Sequence, residues 1–76
     1  MKRKKRTVQF VLCIRSDGCD DLERRKVYQV LPDPSATEEG YIRVIDESGE
    51  DYLYPEDYFL PIALPDAVAE KLAVSA

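Results

Sequence analysis

Apolar residues along this chain alternate over short runs that are broken by turn-forming residues. From Thr7 to Arg15, Val8, Phe10, Leu12 and Ile14 share one face, and Gln9, Val11, Cys13 and Arg15 share the other. Apolar groups on both faces mark a well-buried strand. Ser16-Asp17-Gly18 is a turn signal, and the polar stretch from Ser16 to Arg25 holds one apolar anchor, Leu22. Lys26 to Leu31 reads as a second strand, rich in Val and Tyr and stopped by Pro32 and Pro34. Tyr41 to Ile45 and Asp51 to Tyr54 read as a hairpin joined by Glu47-Ser48-Gly49-Glu50. Gly49 there suits the left-handed position of a type I turn with a G1 bulge. Phe59 to Ile62 is a short closing strand.

Two helical pieces complete the pattern. Ala36-Thr37-Glu38-Glu39 predicts one helical turn inside the Asp33–Gly40 connection. Leu64-Pro65-Asp66 opens a terminal helix through Ala73, with Val68 and Leu72 four residues apart on its packing face. Five short strands, tight turns and one late helix predict a mainly β chain closed as a small five-stranded barrel. The alternation places Val11, Tyr28, Val30, Ile42, Val44, Tyr54 and Phe59 in its core. The organisation that follows is a basic arm over residues 1–6, a barrel over 7–64, and a short helix and tail over 65–76.

Size and charge then narrow the function classes. A chain of 76 residues makes one small domain, and at this size about 60% of the unfolded surface is buried. The net charge of −4 hides a strong asymmetry: Lys2, Arg3, Lys4, Lys5 and Arg6 carry +5 together. The rest sets six basic residues against all fifteen acids, a charge of −9. The body therefore repels phosphate backbones while the arm attracts them. No apolar run reaches the roughly 18 residues of a membrane span, and no secretory signal is legible, which predicts a cytoplasmic protein that does not enter membranes. Cys13 and Cys19, with no histidine in the chain, cannot make a four-ligand zinc site and read as reduced thiols. Asp46, Glu47, Glu50 and Asp51 lack the spacing of a calcium loop. With no phosphate-binding glycine loop and no nucleophile–base pair, the expectation is a non-enzymatic protein without cofactor or metal.

The stretch Tyr52-Leu53-Tyr54-Pro55-Glu56-Asp57-Tyr58-Phe59 carries the most specific signal. Alternating strands that end in Pro-x-x-Tyr and resume with an apolar residue resemble the C-terminal half of an SH3-like barrel. The match runs in order from Val11 to Ile62, with Asp20-Asp21-Leu22 similar to the acidic tip and Leu anchor of the long first loop. The chain also resembles short bacterial proteins of this architecture. The resemblance implies a 3₁₀ turn before the last strand, and a groove lined by Tyr41, Pro55 and Tyr58. It does not extend to proline-rich ligands, because Cys13 and Arg15 replace the first-strand tyrosines and the chain has no Trp.

These readings combine into one expected function and one alternative. Tyr41, Pro55 and Tyr58 form an aromatic platform for a protein or peptide partner, because flat rings stack on extended chains. Asp17, Asp20 and Asp21 edge it and select basic groups on that partner. The alternative is a small nucleic-acid-binding barrel in which Lys2, Arg3, Lys4, Lys5 and Arg6 contact phosphates.

Overall fold

The computed structural model describes residues 9–73; the basic arm expected at residues 1–6 lies outside them. Five strands follow one another as β1 (Gln9–Cys13), β2 (Val27–Leu31), β3 (Tyr41–Ile45), β4 (Asp51–Pro55) and β5 (Phe59–Ile62). Helix α1 (Pro34–Glu38) separates β2 from β3, a 3₁₀ turn (Glu56–Tyr58) separates β4 from β5, and α2 (Asp66–Leu72) ends the described chain. All four strand pairings are antiparallel, in the order β4-β3-β2-β1-β5. The chain is mainly β, as the alternation predicts. Closure into a barrel is not reached, because β4 and β5 remain the two ends of one open sheet.

The main core cluster lies on one side of this sheet. Val11, Cys13, Leu22, Tyr28, Val44 and Phe59 are buried together, with Val30, Ile42, Tyr54, Tyr58 and Cys19 packed around them. Every expected core residue is in this group. Cys13 and Val44 are fully excluded from solvent. Both cysteines are free thiols, and burial raises the pKa of Cys13. At one end the core residues Val11, Val30, Ile42 and Phe59 line an open cleft of about 260 Å³.

The local geometry follows from particular residues. Asp33 caps α1 by accepting the Ala36 N–H at 3.1 Å, a Ser/Asp-type cap that satisfies an otherwise unpaired helix donor. Gly49 has φ +88°, as the G1 reading requires. Arg25 is a non-glycine residue at φ +71°. Its N–H donates to the Cys13 carbonyl while the Cys13 N–H donates to the Lys26 carbonyl. Two residues thus oppose one, the arrangement of a β-bulge at the start of β2.

The terminal helix departs from expectation in its packing. Ala69 is the buried residue, while Val68 and Leu72 are about half exposed. Ala69 thus marks the packed side of the helix, and both larger residues keep about half of their surface in solvent. Leu72 shares a surface groove with Phe10 and Val27, so α2 lies toward the outer side of β1 and β2. Among the described residues no helix is long and apolar enough to cross a membrane.

Candidate functional site

The β3–β4 register fixes the outer face of the hairpin. Tyr41 pairs with Pro55, Arg43 with Leu53 and Ile45 with Asp51. Side chains of directly opposed residues share a face, and here it is the face away from Ile42, Val44 and Tyr54 of the core. Tyr41 and Leu53 are 43% and 45% exposed. They line a groove with Ser35, Ala36 and Glu39 around α1.

Arg43 fixes this face. Its guanidinium donates from Nε to Asp33 and from Nη1 to Asp51, each at 2.9 Å, and Nη2 lies 2.9 Å from the same Asp33 oxygen. One side chain therefore ties α1, β3 and β4 together, using the planar fork that suits carboxylates. The Asp33 carboxyl is held below its ordinary pKa, first by the Ala36 N–H and then by Arg43.

Pro55 leads into the 3₁₀ turn with φ −58° and ψ 136°. The Glu56 N–H donates to the Gly40 carbonyl at 2.9 Å, which anchors the turn to the start of β3. Tyr58 then packs against the core with its ring half buried. Its carbonyl accepts the N–H groups of Ile14 and Arg15 at 2.8 and 3.2 Å. The Arg15 guanidinium lies over the Tyr58 ring, 5.3 Å from its centre, a cation–π contact. Asp17 accepts a hydrogen bond from Arg15 at 2.8 Å, and this bond is the main reason the Arg15 pKa is raised.

The expected site residues therefore fall into three places. Tyr41 and Pro55 are neighbours across β3 and β4. Tyr58 and Asp17 are joined through Arg15. Asp20 and Asp21 are exposed on the loop before Leu22, and the Asp21 carbonyl accepts the Glu47 N–H at 2.9 Å, tying that loop to the β3–β4 turn. Pro55 links the first two places, being Tyr41's partner and three residues before Tyr58. Residues Lys2, Arg3, Lys4, Lys5 and Arg6 lie outside the described residues.

Sequence reasoning missed four participants. Arg15 appeared only as a replaced tyrosine, yet it covers Tyr58. Arg43 sits on an alternating strand, and nothing in that pattern names its carboxylate partners. The turn acids were weighed only as metal ligands. In the fold Asp46 is buried and accepts the Tyr54 hydroxyl at 2.6 Å and the Ser48 N–H at 3.0 Å. Burial pushes the Asp46 pKa up, but the Ser48 and Tyr54 hydrogen bonds outweigh it and leave the carboxyl below its ordinary value. Glu47 accepts the Tyr28 hydroxyl at 2.6 Å and pairs with Lys26 at 3.2 Å. The same two partners lower its pKa, Tyr28 foremost. Among the described residues no group of three or more His, Cys, Asp or Glu is placed to hold a metal ion.

No family model, curated protein or solved structure matches this chain.

Proposed function

We propose that this chain is a small domain with SH3-like strand order that serves as a protein-binding or accessory module, not an enzyme. Support for the fold comes from the antiparallel order β4-β3-β2-β1-β5 with a 3₁₀ turn between β4 and β5. The observation that carries the binding reading is the outward display of Tyr41 opposite Pro55, with Tyr58 one turn later under Arg15. Such a surface offers a partner flat apolar contact, a planar cation and the carboxylate of Asp17. Aromatic and arginine side chains of this kind dominate the energetics of protein interfaces.

The experiment is partner capture from the native host, followed by titration of the captured partner against variants. Tyr58→Ala is expected to weaken binding by more than about 1 kcal/mol while changing stability less. Removing residues 2–6 is expected to change it little, because exposed charges on an arm are screened. Binding that depends on the arm, ignores Tyr58 and collapses as salt rises would instead support the nucleic-acid alternative.

A further inference from the structure

The two ends of the sheet differ in what their backbones offer. Along β3 and β4 the Asp46 N–H donates to Glu50 O at 3.1 Å and the Glu56 N–H to Gly40 O at 2.9 Å. Hydrogen-bonded pairs alternate in an antiparallel ladder, so Tyr52 and Tyr54 turn their amides toward β3. Asp51 and Leu53 turn theirs outward, where β4 ends the sheet. On the other edge the Ile14 N–H donates to Tyr58 O, so Leu60 and Ile62 face β1 and Phe59 and Pro61 face outward. The Phe59 N–H is already bonded to Glu56 O, and Pro61 has no N–H. Edge β5 thus presents no free backbone donor between Phe59 and Ile62. Edge β4 presents two, beside exposed Leu53 and Tyr52.

We infer that the free edge of β4 is a docking site for an extended, basic peptide segment that adds a sixth strand. An unpaired strand edge templates another strand through its main chain. Charge selects which strand. Glu50 and Asp51 precede the apolar stretch Tyr52-Leu53-Tyr54, and Glu56 and Asp57 follow it. Arg43 neutralises Asp51, and Arg15 lies within electrostatic reach of Asp57, so the surroundings stay acidic on balance. A segment with an apolar, β-branched centre and lysines at both ends complements this edge. The β4 edge of a second copy does not. Antiparallel self-pairing centred on Leu53 sets Glu50 of one copy opposite Glu56 of the other, and in-register parallel pairing sets every acid against its own kind. Like charges directly opposite destabilise a strand pair.

The inference rests on the protein-binding reading but uses a different surface, so each can fail alone. The test is an amide-resolved NMR titration of the full chain with a blocked Lys-Lys-Val-Thr-Val-Lys-Lys peptide. Shifts are expected to centre on Asp51 and Leu53. Leu53→Pro removes an outward N–H and also fixes φ at that position, and Leu53→Lys adds a repelling charge. Each is expected to weaken binding at least about tenfold with the fold retained. Because proline also constrains the β4 backbone, methylating the peptide's own edge-facing amides provides a second test of strand pairing with the protein unchanged. A Glu-flanked peptide is expected not to bind, and Leu60→Lys, on the closed edge β5, is expected to bind as the parent does. Binding that survives Leu53→Pro and peptide methylation, or shifts centred on Tyr58, would overturn the edge inference and leave the Tyr41–Tyr58 surface as the binding site. Self-association without peptide binding would overturn it in favour of a second copy.

Discussion

Edges β4 and β5 belong to one sheet, yet one is closed by chemistry and the other is open. On β5 a single proline stands at an outward position, and the preceding 3₁₀ turn consumes the only other outward donor. On β4 the one proline falls at the last residue, after two outward amides have passed. The lesson is that edge protection depends on where along the edge the outward donors are removed, not on composition. Both strands contain a proline and exposed leucine, but only in β5 does the proline replace a donor along the middle of the edge.

The largest expected effect lies beneath the open edge. Val44 is fully buried on β3, the strand that carries β4. Val44→Ala is expected to cost about 1–3 kcal/mol in denaturant unfolding, through lost burial and a cavity. A change of only a few tenths would mean β3 does not anchor the hairpin. Gly49→Val comes next, at about 1–2 kcal/mol, because a β-branched side chain disfavours the φ of +88° found there. Open space surrounds that position, so the cost is backbone strain and not a clash.

Acid should loosen the hairpin end of the same edge. Asp46, Glu47 and Asp33 have folded pKa values below their ordinary ones. A carboxylate whose pKa falls on folding stabilises fully above its unfolded pKa, and that contribution is lost as pH drops through the folded value. The midpoint of urea unfolding is therefore expected to fall below about pH 4.5, and Asp46→Asn should flatten part of that fall. An unchanged profile in Asp46→Asn would remove Asp46 from the account.

How much of this was legible beforehand varies by level. The strands, the 3₁₀ turn and the G1 glycine could be read because each leaves a local mark: alternation, Pro-x-x-Tyr, or a glycine at a tight turn. The expected core residues could be read because burial repeats every second position. Arg43's clamp could not, since Asp33 and Asp51 reach it from two other elements. Nor could the Arg15–Tyr58 stack, which joins the end of the first strand to the 3₁₀ turn. Val68 and Leu72 misled because helical spacing marks large apolar residues, whereas the buried residue of the helix is the small Ala69. The openness of β4 needs the pairing register, which no single segment encodes.

The smallest stability effect should come from the closed edge. Pro61→Val restores an outward amide and is expected to move stability by no more than about 0.5 kcal/mol, as for most surface changes. It should also give the lysine-flanked peptide a second, weaker site, seen as a rise in binding stoichiometry. One site only would show that Pro61 is not what closes β5.

The claim that one edge is open and the other closed is tested most directly by native-state amide hydrogen exchange at low protein concentration. The structure predicts fast exchange at Asp51 and Leu53, set between slowed amides at Tyr52 and Tyr54. On the other edge Phe59 and Leu60 should both be slowed. Protection of Leu53 equal to that of Tyr54, or free exchange at Phe59, would contradict it.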